Sequence, residues 1–115
     1  MNTGRRAELV ALYADELRSK CALEPDAALL NRVVDGCGPL IFAPDGGTVD
    51  VDDPAELDRI RRNFLVRKLA LPDGPELSEA IRASVEMYGT AGDPKYRAVL
   101  YYMLVVQLGA EAHHP

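Results

Sequence analysis

The basic residues between positions 59 and 68 form the densest group of side chains in this sequence that could hold an anion. They are Arg59, Arg61, Arg62, Arg67 and Lys68. With a rotation of about 100° per residue, an α-helix through this region carries an apolar stripe beside the cations. The stripe consists of Leu57, Ile60, Phe64 and Leu71. Arg61 and Lys68 flank this stripe, so they are the first candidates for a binding site.

Two interpretations of these cations remain open from the sequence. In the favoured one, the long side chains extend past the apolar stripe and pair with acids of neighbouring helices, because the chain holds 18 acidic and 13 basic residues. In the other, Arg61, Lys68, Arg67 and Arg97 line a pocket for a small anionic ligand or an acidic peptide. The second interpretation requires the cations to converge on a concave surface without internal acid partners.

A second cluster of charge, the acids between positions 45 and 58, has the chemistry of a calcium or magnesium site. It contains Asp45, Asp50, Asp52, Asp53, Glu56 and Asp58. An EF-hand loop read from Asp45 places Gly47 and Val49 at ligand positions and Asp50 where glycine is required. Acids are also favourable at the start of a helix, where they face the positive end of its dipole. We therefore predict a helix cap and a solvated loop, and no metal.

The remaining reactive side chains do not form a catalytic arrangement. Cys21 and Cys37 lack a CxxC motif and a nearby histidine, which favours buried reduced thiols. His113 and His114 are adjacent near the last residue, without the spacing of a metal pair on a helix. No serine lies in a G-x-S-x-G turn, and the glycines do not form a nucleotide-binding motif. We therefore predict no enzymatic activity, no catalytic residues and no cofactor.

Composition narrows the class of protein. The 115 residues carry a formal net charge of −5, which disfavours nucleic acids and anionic membranes as partners. The longest uncharged run, Ala98–Ala110, is shorter than the roughly 20 residues that span a bilayer. The first residues lack the apolar stretch of a signal peptide. These features predict a soluble cytoplasmic protein.

The chain before the acidic cluster is predicted to be mostly helical. Apolar residues at helical spacing indicate a first helix over about Arg5–Ala22, and a second that begins near Asp26 and ends at Gly36 or Gly38. From 40 to 51 two short apolar runs flank Pro44-Asp45-Gly46-Gly47, where proline and glycine favour a turn. This segment is predicted to be a small β-hairpin or an extended loop.

Three further helices are predicted after it. The motif Asp53-Pro54-Ala55-Glu56 has the order of a capping box and starts a third helix that runs to about Leu71. A fourth begins at Asp73-Gly74-Pro75-Glu76 and ends at Gly89 or Gly92. Asp93-Pro94 introduces the last helix, over 95–108, which is apolar on nearly every side and is therefore expected at the centre of the fold.

Three stretches of the chain resemble a known family. They are NFLVRKL at 63–69, DGPEL at 73–77 and KYRAVLYY at 95–102. In order and spacing they are similar to DUF2853, a small bacterial family of unknown function, over nearly the whole chain. The resemblance implies a helical bacterial protein of about this length. It carries over no activity, substrate, cofactor or site residue.

Together these patterns predict an all-α fold, a single compact five-helix bundle with a hairpin or extended loop around residues 40–51. Residues 1–115 form one domain, of which 109–115 are expected to be a flexible tail. The favoured function is a non-catalytic protein-interaction or oligomerisation module with an unknown partner or a second copy. The alternative is a binding domain for a small anionic ligand or an acidic peptide that uses Arg61, Lys68, Arg67 and Arg97.

Overall fold

A computed structural model describes residues 3–43, 47–89 and 94–110. The α-helices in this part of the chain are α1 Thr3–Lys20, α2 Ala27–Cys37, α3 Pro54–Ile60, α4 Pro75–Tyr88 and α5 Arg97–Gln107. A 3-10 helix, Gly38–Phe42, follows α2, and a π-helix, Arg61–Lys68, continues α3. No strand occurs among the described residues. The predicted all-α fold with five helices is confirmed.

Local capping chemistry explains where several helices begin and end. The Asp26 side chain accepts a hydrogen bond from Leu29 N at 3.1 Å, and Asp53 accepts one from Ala55 N at 3.0 Å. Proline occupies the first turn of both α3 and α4. At the other end of α4, Gly89 takes a φ of 95°, a backbone angle that favours glycine. Three helices therefore begin where the sequence predicted, at Asp26, Asp53 and Pro75.

The segment predicted as a hairpin or extended loop is not a hairpin in its described residues. Leu40 lies in the 3-10 helix, because Pro39 in its first turn favours a helical start. Thr48 instead forms an isolated antiparallel bridge with Tyr96. The backbone N–H of Val49 donates to Lys95 O at 2.8 Å. Residues 44–46, the predicted turn, lie outside the described residues.

The third helix departs from the predicted single α-helix at Arg61. From there to Lys68 the backbone is a π-helix, and Leu69 N donates to Phe64 O, five residues earlier, at 2.9 Å. Ala70 then takes a positive φ of 56°, which ends the segment. Because the π-turn is wider than an α-turn, the projection at 100° per residue does not hold here. Arg61 lies at the start of the π-helix and Lys68 at its end.

Helix α5 lies at the centre of the fold, as predicted. It packs against α1, α2 and α4. Its buried residues are Ala98, Val99, Leu100, Tyr102, Met103, Leu104 and Val105. The helix begins at Arg97 with Tyr96 as its N-cap, two residues after the start predicted at Lys95; the predicted cap Asp93 lies outside the described residues.

The chain stays packed just beyond α5. Gly109 takes a φ of 62°, and Ala110 N donates to Val105 O at 2.8 Å, as in a Schellman cap. Ala110 is fully buried. The rest of the predicted tail, residues 111–115, lies outside the described residues. None of the described helices is long and apolar enough to cross a membrane.

Shortening one buried side chain of the central helix is expected to remove a large part of the stability of the domain. Leu104 has no exposed surface, so Leu104→Ala removes buried contacts and leaves a cavity. We expect the free energy of unfolding to fall by about 2–5 kcal/mol. Leu40→Ala is the matched control, because Leu40 is 48% exposed, and should change it by about 0.5 kcal/mol or less. Urea denaturation measures both; equal losses would contradict the central position of α5.

Candidate functional site

The predicted site residues separate into two groups in the structure. Arg61 is held by acids, with Nη2 at 2.8 Å from Asp58 Oδ1 and Nη1 at 2.6 Å from Asp73 Oδ1. Arg67 is exposed, and its side chain makes no hydrogen bond or ion pair with any described residue. Lys68 and Arg97 line the same concave surface. The fold therefore brings together two of the four candidates.

We call this concave surface the basic cleft. It consists of two adjoining cavities of about 260 and 150 Å³ that share Leu40, Asn63, Arg97 and Tyr101. The larger cavity extends to Arg59, Glu56 and Ile60, and the smaller one to Lys68, Phe64, Cys37 and Gly36. The cleft thus runs between the end of α2 with the 3-10 helix, the α3–π segment and the first two turns of α5. It has a cation at either end and another in its wall.

Arg97 is the fixed element of the basic cleft. Its guanidinium donates to Glu56 Oε1 at 3.2 Å, Thr48 O at 3.3 Å and the Tyr101 hydroxyl at 3.0 Å. Its side chain is only 14% exposed and that of Glu56 20%. Burial opposes the charged form, but Tyr101 and Glu56 outweigh it and hold the pKa of Arg97 above its usual range. Arg97 therefore stays charged while it ties α5 to α3.

Two aromatic rings form the apolar wall of the cleft. Phe64 and Tyr101 stack with ring centroids 3.9 Å apart and an interplanar angle of 16°. The Arg97 guanidinium lies 5.7 Å from the centroid of the Tyr101 ring, within the range of a cation–π contact. Burial raises the pKa of Tyr101, so its hydroxyl remains neutral. Leu40, which is 48% exposed, extends this apolar surface to the rim.

The charge around the cleft is opposite in sign to that of the whole chain. Its described lining residues include three cations, Arg59, Lys68 and Arg97, and one acid, Glu56. Glu56 pairs with two of these cations, because Arg59 Nη2 lies 2.9 Å from its Oε2 and Arg97 Nη2 lies 3.2 Å from its Oε1. Lys68 Nζ donates to Gly36 O at 3.2 Å and has no acid partner among the described residues. In a protein of net charge −5, this cleft is a local positive site.

Sequence reasoning missed part of the cleft. Leu40 falls in the segment predicted as a hairpin or extended loop, and the signal that could have indicated the 3-10 helix is Pro39 directly after Gly38. The predicted capping box requires the Glu56 carboxylate to accept a hydrogen bond from Asp53 N. In the structure Asp53 N donates to Asp50 O instead, and the Glu56 carboxylate pairs with Arg59 and Arg97. The role of Asn63 left no signal beyond its position in the basic cluster.

The two cysteines are free and buried, as predicted. Cys37 lines the cleft, and Cys21 donates to Met103 Sδ at 3.4 Å in the core. Burial raises the pKa of each thiol to about 11. Among the described residues, no three histidine, cysteine or acidic side chains are grouped so that they could hold a metal ion. His113 and His114 lie outside those residues.

A second concave surface lies between α1 and α2. It is a groove of about 360 Å³ whose lining includes small apolar residues, among them Ala7, Ala11 and Ala14. The two cations at its edge are paired: Arg6 Nη2 lies 2.6 Å from Asp35, and Arg18 Nε 3.2 Å from Glu24. The groove therefore lacks the local positive charge of the basic cleft.

Comparison with known proteins identifies the family of this chain. The sequence profile of DUF2853, described as a protein of unknown function, matches residues 12–112. This range includes every residue of the basic cleft and all three stretches that carry the sequence resemblance. A search of curated proteins found no match.

The cysteine pKa values predict a loss of stability at alkaline pH. Because the folded state binds the thiol protons more tightly than the unfolded state, their contribution is complete below the ordinary pKa of 9.0 and is lost as pH rises to about 11. We expect the free energy of unfolding to decrease across this window. The comparison is the wild type against the double variant Cys21→Ala and Cys37→Ala, each unfolded in urea at a series of pH values.

The difference between the two unfolding curves isolates the thiols from the tyrosines and lysines that also titrate at high pH. The difference in free energy of unfolding should be constant below pH 9 and should decrease above it. An ultraviolet titration of thiolate absorbance in the native wild type should give a midpoint near 11. A midpoint near 9 would show that the thiols are accessible to water.

Proposed function

The chain belongs to the DUF2853 family, and we propose that it is a non-catalytic interaction module that binds an acidic peptide segment of a partner protein in the basic cleft. The observation that carries this proposal is the position of Arg59, Arg97 and Lys68 around one cleft of an acidic chain. Negative charge elsewhere on the surface disfavours anions in general, so the cleft is where an acidic segment is selectively favoured.

The two ends of the cleft supply the attraction. Lys68 donates to a backbone carbonyl, so its charge is not cancelled by an acid of the described chain. Arg59 pairs with Glu56, but its side chain is 51% exposed. Exposed pairs contribute little stability, so a ligand carboxylate can replace Glu56 as the partner of Arg59 at small cost. Arg97 keeps Glu56 in place from the other side and gives the site its rigidity.

The middle of the cleft favours a peptide over a small inorganic anion. Asn63 is exposed there, and its amide both donates and accepts, which matches the backbone of an extended peptide. Leu40 and the ring of Tyr101 offer apolar surface for one side chain. The occupant that fits is therefore a short segment with an apolar residue between acidic residues.

The buried state of α5 supports a partner protein over self-association through that helix. The apolar residues from Ala98 to Val105 are already in the core, apart from the partly exposed Tyr101, so they offer little surface to a second copy. The chemistry of the cleft also favours binding over catalysis. Cys37 and Tyr101 are lining groups that could act as nucleophiles, but burial raises the pKa of both and so disfavours the reactive thiolate and phenolate at neutral pH.

The test is the affinity of a labelled peptide, acetyl-Glu-Glu-Leu-Glu-Glu-amide, measured by fluorescence anisotropy. We expect saturable binding that weakens with salt, and a loss of roughly three- to tenfold in Lys68→Ala and in Arg59→Ala. Arg67→Ala is the matched control, because it removes the same charge from the adjacent residue outside the cleft. It should leave the affinity nearly unchanged.

Three outcomes would contradict the proposal. Equal losses in Lys68→Ala and Arg67→Ala would indicate attraction to the basic segment as a whole. Equal affinity for the glutamine analogue of the peptide would remove the role of charge. Equal affinity for free glutarate would favour the small anionic ligand that the sequence left as an alternative. Amide shifts on ¹⁵N NMR spectra should confirm the location at Leu40 and Asn63.

A further inference from the structure

The charges of residues 50–68 are divided into an acidic half and a basic half. Residues 50–58 contain five acids and no lysine or arginine, whereas residues 59–68 contain five lysines and arginines and no acid. In the structure this segment is a turn followed directly by α3 and the π-helix. The acidic half therefore lies at the start of one continuous helical segment and the basic half at its end.

Ion pairs within the chain neutralise the middle of this segment. Glu56 pairs with Arg59 and Arg97, and Asp58 pairs with two arginines of the following turn. Pairs between residues close together in the sequence are satisfied without any partner molecule. The charges that they leave over are at the two ends of the segment, negative before α3 and positive at the end of the π-helix.

The negative end is the turn at residues 50–53, which we call the acidic turn. Asp50 and Asp52 are exposed and make no ion pair with a described residue, and Val51 between them is half-buried. Asp53 N donates to Asp50 O at 3.2 Å and Asp52 N to Asp50 Oδ1 at 3.0 Å, so the turn is fixed before it meets a partner. An apolar residue between two acids is the pattern that the basic cleft fits.

The positive end is Lys68, which the acidic turn of the same chain does not approach. Helix α3 alone is about 10 Å long at 1.5 Å per residue, and the eight-residue π-helix extends it further. None of the described lining residues of the basic cleft belongs to the acidic turn. An antiparallel second copy, however, brings each acidic turn to the Lys68 end of the other cleft. Two-fold symmetry makes this contact twice.

We infer that the basic cleft binds the acidic turn of a second copy of this chain, so that two copies form a symmetric dimer. Asp52 of one copy pairs with Lys68 of the other, and Val51 contacts the exposed Leu40 beside the Tyr101 ring. This inference rests on the proposed function, because it names the partner that supplies the acidic segment. The interface is separate from α5, whose apolar residues remain in the core of each copy.

The net charge of −5 opposes the association of two copies but acts over a longer distance than the contact itself. At physiological ionic strength the Debye length is about 8 Å, so exposed charges farther apart are largely screened. The ion pairs in the cleft form at contact distance and are screened less. We therefore expect a reversible dimer whose population rises with protein concentration.

The test exchanges the charges of one contact and measures self-association of the full chain by sedimentation velocity. Asp52→Lys and Lys68→Glu each place like charges opposite one another in both contacts of the dimer. Each variant alone should therefore associate at least about tenfold more weakly than the wild type. In an equimolar mixture one contact is native and the other has the same pair with reversed charges. With one variant fluorescently labelled, the affinity in the mixture should return to within about threefold of the wild type.

Glu76→Lys and Arg67→Glu are the matched controls, because each changes the net charge by the same amount as the variant it matches. Glu76 is an exposed acid in the first turn of α4, outside the acidic turn. Arg67 is the exposed neighbour of Lys68 and lies outside the cleft. Both controls should associate within about twofold of the wild type. Recovery in the mixture would also show that the two test variants are folded.

The labelled acidic peptide distinguishes failure of this inference from failure of the proposed function. Peptide binding to a wild type that stays monomeric up to about 1 mM would overturn the dimer and leave the cleft to a different protein. Association that the mixture restores, without peptide binding, would support the dimer and contradict the binding of isolated peptides.

Two further results would overturn the inference. One is a loss of association in both test variants without recovery in the mixture, provided that thermal denaturation shows both to be folded. The other is an equal loss in a test variant and its control, which would reduce the effect to net charge. If the dimer forms as inferred, an excess of the acidic peptide should dissociate it, because both compete for the same cleft.

Discussion

The enclosure of α5 is the constraint on which the rest of this structure depends. A helix that is apolar on nearly every side is stable in water only when other elements cover it. Helices α1, α2 and α4 supply that cover. The first residue of α5, Arg97, lies at the edge of the core. Its guanidinium is largely buried and therefore needs hydrogen-bond partners. Glu56, Thr48 and Tyr101 provide them. The position of the basic cleft therefore follows from the point where a buried helix emerges.

A small polar cluster fixes the chain just before that point. The Tyr88 hydroxyl donates to Glu16 Oε1 at 2.9 Å and accepts from Tyr96 N at 3.1 Å, while Lys20 pairs with Glu16 at 3.1 Å. The buried Lys95 places its ammonium 5.1 Å from the centroid of the Tyr88 ring. These contacts connect α1 and α4 to the residue that caps α5. Polar groups buried together in this way are stable because each has a partner, and they hold Tyr96, the N-cap of α5, in place.

The features of the fold that depend on residues close together in the sequence were predicted correctly. Helix starts at Asp26 and Asp53, the stop at Gly89 and the central position of α5 all follow from local caps or from periodicity. The hairpin form did not occur because Thr48 bridges to Tyr96, a distant residue that no local pattern reveals. The same limit applies to the site. Arg61 pairs with Asp73 from a π-helix, a form that the projection at 3.6 residues per turn does not include. Lys68 and Arg97 are far apart in sequence, and only the tertiary fold places them in one cleft.

The 3-10 helix Gly38–Phe42 separates the basic cleft from a neighbouring cavity of about 290 Å³. Leu40 forms part of the cleft, and Ile41 and Phe42 line that cavity. A 3-10 helix has poorer hydrogen-bond geometry than an α-helix, so it is among the more deformable elements of a fold. A ligand in the cleft that displaces this short helix must therefore also change the wall of the cavity behind it.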